Sequence, residues 1–559
     1  MKPGAARCAL VVALALASCG PAAPRARRPG TLEARERAAS ADVTGCGPAD
    51  EPRVCAVAVI DVGAGTAEVT LRLDPAVLPA ERREVALSFG EVSIETEGPW
   101  APLGALPEPI ELRYRVALDA SPRALGRSFR RAGGWHLRGQ SFLPELTVDG
   151  APVDVAATLR IDAGAEPIWT SAGERRIFDA PSLRRLAEEA YEIGALSTTR
   201  REVAGTALWV AASESDAGAL EPVADVLARA LRSLSARLGP PPTDGILVAF
   251  HASEDEPPFA VRLGSTLVQV SPSGLPRDGV FGLADLALRE LAHLFVPGTH
   301  AVGEDWLEEG LADYFTALAI AELTASPASP ARVVMRGHRR YAAAPERRAL
   351  RDESAGGEWA RDAGLVVGFC LDAHLRESGS SLGAALATTF ARDERAIGAE
   401  ALLEVLAAIS PSSASYLAAL LESESAFAID DCLERSGLEA REVPYEGWTD
   451  TALREALGLG DEVRPLSLLE AFAVPAPSEG SALEPGDVVT EVEGARVADL
   501  DDVAWALRAV DAGERARLAV RRRGQVEALE IVIPAGEARR EERAHVELVP
   551  IDRALATRR

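Results

Sequence analysis

The 559-residue sequence has a formal net charge of −26, which argues against nucleic acid as a partner because that surface demands clustered positive charge. Hydrophobic residues make up 47% of the chain and charged residues 26%, enough apolar mass for several cores, and the length sets an expectation of about three to four domains. The acidic excess does not by itself name a ligand, since Asp and Glu usually solvate a surface. After the first residues, no apolar run is long enough to cross a bilayer.

The N-terminus has the layout of an export signal. Lys2 and Arg7 precede an apolar stretch from Ala9 to Ala17 that is too short to span a membrane. It ends in Leu16-Ala17-Ser18-Cys19, which resembles the lipobox of bacterial lipoproteins. That resemblance implies cleavage before Cys19, acylation of Cys19 and a lipid anchor in the cell envelope. Gly20 after the cysteine points, by the same resemblance, to the outer membrane. A plain secretory signal is the competing reading. Residues 20–50 are rich in Pro, Ala, Arg and Gly and read as a flexible tether. Cys46 and Cys55 bracket a short loop and are the easiest pair to close as a disulfide in an exported protein. Cys370 lies in an apolar helical run and reads as a small buried hydrophobe. No C-x-x-C arrangement offers a metal site.

Residues 51–165 alternate apolar and polar positions in segments such as VCAVAVID, AEVTLRLD and IELRYRVALD, separated by Gly, Pro and Asp. They predict an antiparallel β-sandwich. Trp135 and His136 sit in a Gly-rich loop, where a packed aromatic beside a satisfied histidine is the ordinary explanation. From residue 166 to 300, helical and strand patterns alternate: PSLRRLAEEAYEIG as a helix, TALWVAAS and GILVAFHAS as strands, and a long amphipathic helix between the last two. Residues 301–450 read as mostly helical.

The chain is organised around residues 286–321. A first helix carries Arg289, Glu290 and His293, with Leu283, Ala287, Leu291 and Leu294 as its apolar stripe. A second opens at Asp305 with Glu308 three positions on, a capping-box pattern, and carries Glu309. The chemistry that this arrangement approaches is H-E-x-x-H. There, two histidines one turn apart bind zinc, the Glu between them polarises the bound water, and a third ligand comes from the next helix. Here the first position is Arg289, whose guanidinium stays protonated and has no lone pair to give.

Trp306-Leu-Glu-Glu309-Gly310-Leu-Ala-Asp-Tyr314 resembles the W-x-x-E-G-x-x-x-Y segment of gluzincin metallopeptidases. The glycyl-aminopeptidase-like family, which joins a β domain, a thermolysin-like domain and a C-terminal PDZ domain, is the nearest likeness. The resemblance implies Glu290 as general base, His293 and Glu309 as metal ligands, and Arg289 as the residue replacing the first ligand. It also implies that Arg361, three residues before Gly364, stands where the family has a transition-state tyrosine. Phe259 to Leu267 keeps the family's substrate strand and loses its motif. His300 is a weak substitute ligand.

Residues 455–540 resemble a PDZ domain, on the run Ser481-Ala-Leu-Glu-Pro-Gly-Asp-Val-Val-Thr-Glu-Val-Glu-Gly494. Such modules bind extended peptides by strand addition, with backbone amides holding a terminal carboxylate. Leu457-Gly458-Leu459 is the expected carboxylate loop, and residues 541–559 read as a tail.

These readings combine into a multidomain α+β chain. A signal peptide (1–19) and a tether (20–50) precede the β domain, the thermolysin-like lobe, the helical lobe and the PDZ module. The functional expectation is a non-catalytic, pseudo-peptidase envelope lipoprotein that uses no cofactor. It would bind C-terminal or unfolded peptide segments of envelope proteins. The alternative is an active zinc aminopeptidase with an altered metal site. The anchor has a direct test: Cys19→Ser should move the protein from the membrane to the soluble fraction, and unchanged membrane association would reject the lipobox.

Overall fold

The computed structural model describes residues 54–551, apart from 75–84, 89–93, 96–109, 119–127, 132, 149–150, 254–257, 272–273, 277–278, 285, 297–303, 325–328, 344–348, 351–356, 391–397, 423–426, 461–462, 467, 523–524 and 534–539. The signal, the tether, Cys19, Cys46 and His300 therefore lie outside the described residues.

Two main sheets form the N-terminal domain. Val54–Asp61 and Thr66–Leu73 alternate inward and outward residues and pair antiparallel in a six-stranded sheet. A five-stranded sheet that includes Gly134–Arg138 and Ala190–Gly194 faces it, and side chains of both sheets share one core. The sandwich differs from the expected one in two respects. Val54–Asp61 pairs parallel with Ala157–Asp162, so it is not wholly antiparallel. It also runs on to Gly194, because only Leu183–Glu188 of the predicted helix is helical and the following AYEIG is a fully buried strand.

A second five-stranded sheet carries the site. Its order is Ser197–Val203, Thr206–Ala212, Gly245–Ala252, Thr266–Ser271, with Phe259–Leu263 at the edge. The inner strands are buried along their lengths, as a sheet covered on both faces requires. Helix Ala217–Leu238 packs on it through Leu220, Val223, Leu227, Leu231 and Leu234, spaced to form one stripe. The helices that follow extend the same core. No helix among the described residues is long and apolar enough to cross a membrane.

Three further expectations are corrected. Cys370 is not a free hydrophobe but forms a disulfide with Cys432, 62 residues away, pinning Glu358–Glu377 to Ile429–Arg435. Cys55 is also disulfide-bonded. The expected helical region ends before residue 450: Leu438–Trp448 is a strand paired over eleven residues with Arg540–Pro550, so the presumed tail builds a ribbon. Asp305 takes helical backbone angles and makes no capping bond, and Trp306–Gly310 is a π-helical turn that leads into Leu311–Thr324.

Glu189 joins the first domain to the second sheet by accepting the Ser265 N–H at 3.2 Å, while its other oxygen has no partner among the described residues. Burial pushes this carboxyl up to about 7. The folded state then holds a proton that the unfolded state releases near 4.5, so stability falls as pH rises from about 4.5 to 7. Glu189→Gln should remove that slope and stabilise the chain at pH 8 by on the order of 1–2 kcal/mol. Urea melts of both proteins at pH 5 and pH 8 measure it.

Candidate functional site

The site lies where the Ala287–His293 helix meets the edge strand and two later helices. Leu288, Leu291 and Ala292 are buried in the core; Arg289 turns toward Glu309 and Asp313, and His293 beside it is itself buried. The π turn holds Glu308 and Glu309 opposite them, a local widening often found at functional sites. Gly310 lies so close to Gly364 that a Cβ on either would collide with the other's backbone. That approach brings Arg361, on Glu358–Glu377, to the same cluster.

Arg289 divides its fork. Its Nη2 donates to Glu309 Oε2, and its Nε donates to Asp313 Oδ1 at 2.8 Å. Asp313 also receives Arg361, from Nε to Oδ2 and from Nη2 to Oδ1 at 3.2 Å. The Asp313 side chain is only 3% exposed and Arg289 15%, so these are buried, charge-assisted bonds. His293 Nε2 stands 3.9 Å from Glu309 Oε2, and its buried Nδ1 has no partner among the described residues. Burial, then Arg289, Arg262 and Arg361, hold this imidazole well below its usual range, so it is neutral. Glu290 is pushed up by burial and is partly offset by Arg289, Arg262 and the Arg262 backbone N–H that it accepts. The fork thus reaches Glu309 and Asp313, while Glu290 is held by the neighbouring strand.

Three donors, His293, Glu308 and Glu309, come within 4.8 Å of one another. A three-ligand zinc site of the H-E-x-x-H kind nevertheless does not fit these residues. Arg289 fills the first ligand's place and its guanidinium already binds the Glu309 oxygen on the cleft side.

Sequence reasoning named Arg289, Glu290, His293, Glu309 and Arg361, and the fold brings all five together. It missed Asp313, Arg262 and Glu308. Asp313 had a signal: it lies one helical turn beyond Glu309, on the same face. His136 and His251 sit elsewhere, both bonded to buried Glu192 Oε1, at 2.6 and 3.1 Å, whose other oxygen is 3.3 Å from Arg131. This is a satisfied core network.

In the C-terminal module, Asp487 of the Gly-Asp pair is buried and bidentate with Arg522, at 2.9 and 2.7 Å. The expected carboxylate loop is closed. Leu457 ends a helix, Gly458 is its left-handed cap, and the Gly458 and Leu459 amides donate back to Glu455 and Arg454. The Gly460 amide donates to Ala476, and Leu457 and Leu459 are themselves buried. No amide of residues 458–460 is left for a terminal carboxylate, so the role expected of Leu457, Gly458 and Leu459 lacks its donors.

Residues 472–533 match the PDZ domain family. An aminopeptidase N family protein from Idiomarina loihiensis has a similar structure, with 14% identity and a TM-score of 0.54, covering 89% of this chain and 98% of that one. An M1 zinc metallopeptidase from Deinococcus radiodurans gives 18% identity and 0.48, covering 67% and 94%; native yeast LTA4 hydrolase gives 13% and 0.44, covering 65% of each. No protein of curated function matches the chain. The first likeness is one of fold, an aminopeptidase-N-like architecture, to which residues 472–533 add a PDZ domain.

Asp313→Asn strips both guanidiniums of their shared carboxylate and should cost about 3–5 kcal/mol, whereas Arg289→Ala, which leaves Arg361 in place, should cost about 2–3. The double mutant should cost at least about 1 kcal/mol less than the sum. Equilibrium urea unfolding of the four proteins measures the coupling, and additivity would show that the pair is not formed.

Proposed function

We propose that the chain is a non-catalytic, peptidase-like envelope lipoprotein that binds peptides or proteins through its PDZ domain and its cleft. One observation carries the proposal: the Arg289 guanidinium seated between Glu309 and Asp313. In a zinc peptidase the metal polarises a carbonyl and activates water. A guanidinium supplies positive charge without an open coordination position, so it bridges the two helices but cannot do that work. Glu290 keeps the general-base position, but it accepts the Arg262 N–H and its basicity has nothing to act through. Arg361, at the place where the family's tyrosine is expected, is committed to Asp313.

The guanidiniums nearest His293 support the same reading. Arg262, Arg289 and Arg361 face the imidazole, among the carboxyls of Glu290, Glu308, Glu309 and Asp313. A divalent cation added to this set would meet three guanidiniums in a partly desolvated cleft. The second reading, an active zinc aminopeptidase with an altered site, draws on the proximity of His293, Glu308 and Glu309.

Metal analysis after incubation with zinc, together with hydrolysis of aminoacyl p-nitroanilides, separates the two. The expected result is no stoichiometric zinc and no turnover. Arg289→His should raise zinc uptake while turnover stays low. One equivalent of zinc in the unaltered protein, with hydrolysis lost in His293→Ala, would establish the second reading instead.

A further inference from the structure

We infer that the wedge between the outer strand of the PDZ domain and the peptidase-like lobe is a docking site for an extended peptide. The segment adds along Gln525–Val532 and places one apolar side chain, flanked by an acidic one, in the adjoining cavity. This rests on the peptide-binding reading above and assigns it a surface.

Strand addition needs an open sheet edge. The PDZ sheet runs Arg464–Pro465, Phe472–Val474, Asp487–Val492, Arg515–Arg522, Gln525–Val532, so it has two edges. The first is two residues long, contains a proline, and follows the loop whose amides are already used. Beside it, Leu468, Leu469 and Ala471 sink into the core of the lobe. The second is an eight-residue strand, paired without interruption to Arg515–Arg522 and to no other strand among the described residues. It has neither the proline nor the bulge that commonly blunts an edge, and its two charged residues, Glu527 and Glu530, are paired with Arg522 and Arg515 of the neighbouring strand.

The side chains of this strand divide sharply. Leu529 and Ile531 join the core of the domain, while Val526 and Val532, on the opposite face, are 61% and 57% exposed. They are half of the four large apolar side chains so exposed among the described residues. Val526 borders a cavity of about 540 Å³, within the range of ligand pockets, which favour domain interfaces. Phe281, Ile320 and Leu323 wall it from the lobe, Ala519, Arg521, Thr490 and Glu491 wall it from the sheet, and Glu470 and Arg496 complete it.

Arg521, the cross-strand partner of Val526, supplies the polar selectivity. Its guanidinium lies 4.4 Å from the centroid of the Phe281 ring and meets no carboxylate among the described residues. The cavity also holds Glu470, Glu491 and Arg496; Glu470 is taken by Arg332 and Arg496, so Arg521, which borders Val526, is the cation there that an acidic peptide side chain would meet. Main-chain bonds to the edge would supply affinity, and the pocket with Arg521 would supply preference.

The test uses the whole chain, in EDTA, against arrayed ten-residue peptides with a central Phe, Leu or Ala beside Asp or Lys. Each is made with a free or an amidated C-terminus. Peptides with Phe or Leu beside Asp should bind with a Kd on the order of micromolar, equally well when amidated. N-methylation at alternate residues should abolish binding for one parity and spare it for the other. Val526→Asp and Arg521→Glu, at surface positions, should each weaken binding at least tenfold without lowering the melting temperature. A requirement for the free carboxylate, indifference to both substitutions, or no binder in the array would overturn the inference. Hydrolysis of an arrayed peptide once zinc replaces EDTA would instead refute the non-catalytic reading and leave the docking edge standing.

Discussion

Asp313 is the residue on which the cleft depends. Its carboxylate is almost wholly withdrawn from water, a state that is costly unless the charge is paired and hydrogen-bonded. Arg289 and Arg361 meet that need from two different helices, and the close approach of Gly310 to Gly364 sets the distance at which they can do so. Three helical segments are thereby tied through one acidic group. A metal ion performs a similar tie in zinc enzymes, where ligands from two helices converge on one cation. Here two guanidiniums make such a tie through Asp313.

The PDZ domain is held by comparable means. Arg332 binds Glu470 at 2.7 Å, and Arg336 donates to the Leu469 carbonyl at 2.8 Å, both from helix Ser329–Ala343. Leu468, Leu469, Ala471 and Val488 then bury apolar surface in the lobe's core. The ribbon of Leu438–Trp448 and Arg540–Pro550 adds a second brace: Trp505 stacks between His545 and Arg508, with Tyr445 at its edge. The module is therefore built into the molecule at its short edge, and its long edge faces outward. The same packing that closes one binding mode leaves the other open.

How much of this was legible in the sequence follows from the range of the interactions. Helix periodicity, the strand alternation of residues 54–73 and the Gly-Asp run of the PDZ domain are local, and each was readable. Arg289, Glu290, His293 and Glu309 were readable because two helices fix their spacing. Asp313 carried one local signal, its place a turn beyond Glu309, but its pairing with Arg361, 48 residues later, has none. The same holds for Cys370 with Cys432, for the parallel pairing of Val54 with Ala157, and for the ribbon that joins residues 438–448 to 540–550. The Leu457-Gly458-Leu459 run looked like a ligand loop, but a left-handed glycine that caps a helix has the same appearance in sequence.

Arg289, Arg262 and Arg361 set the electrostatics around His293. A divalent ion would draw electron density from bound water and carbonyls, and would need neighbouring ligands deprotonated and unprotonated imidazoles. His293 is still neutral here, but for a different reason: burial, and three guanidiniums that make a further positive charge unwelcome. A lowered imidazole pKa therefore does not by itself mark a metal ligand, since burial and neighbouring guanidiniums produce the same shift in a histidine that no ion touches.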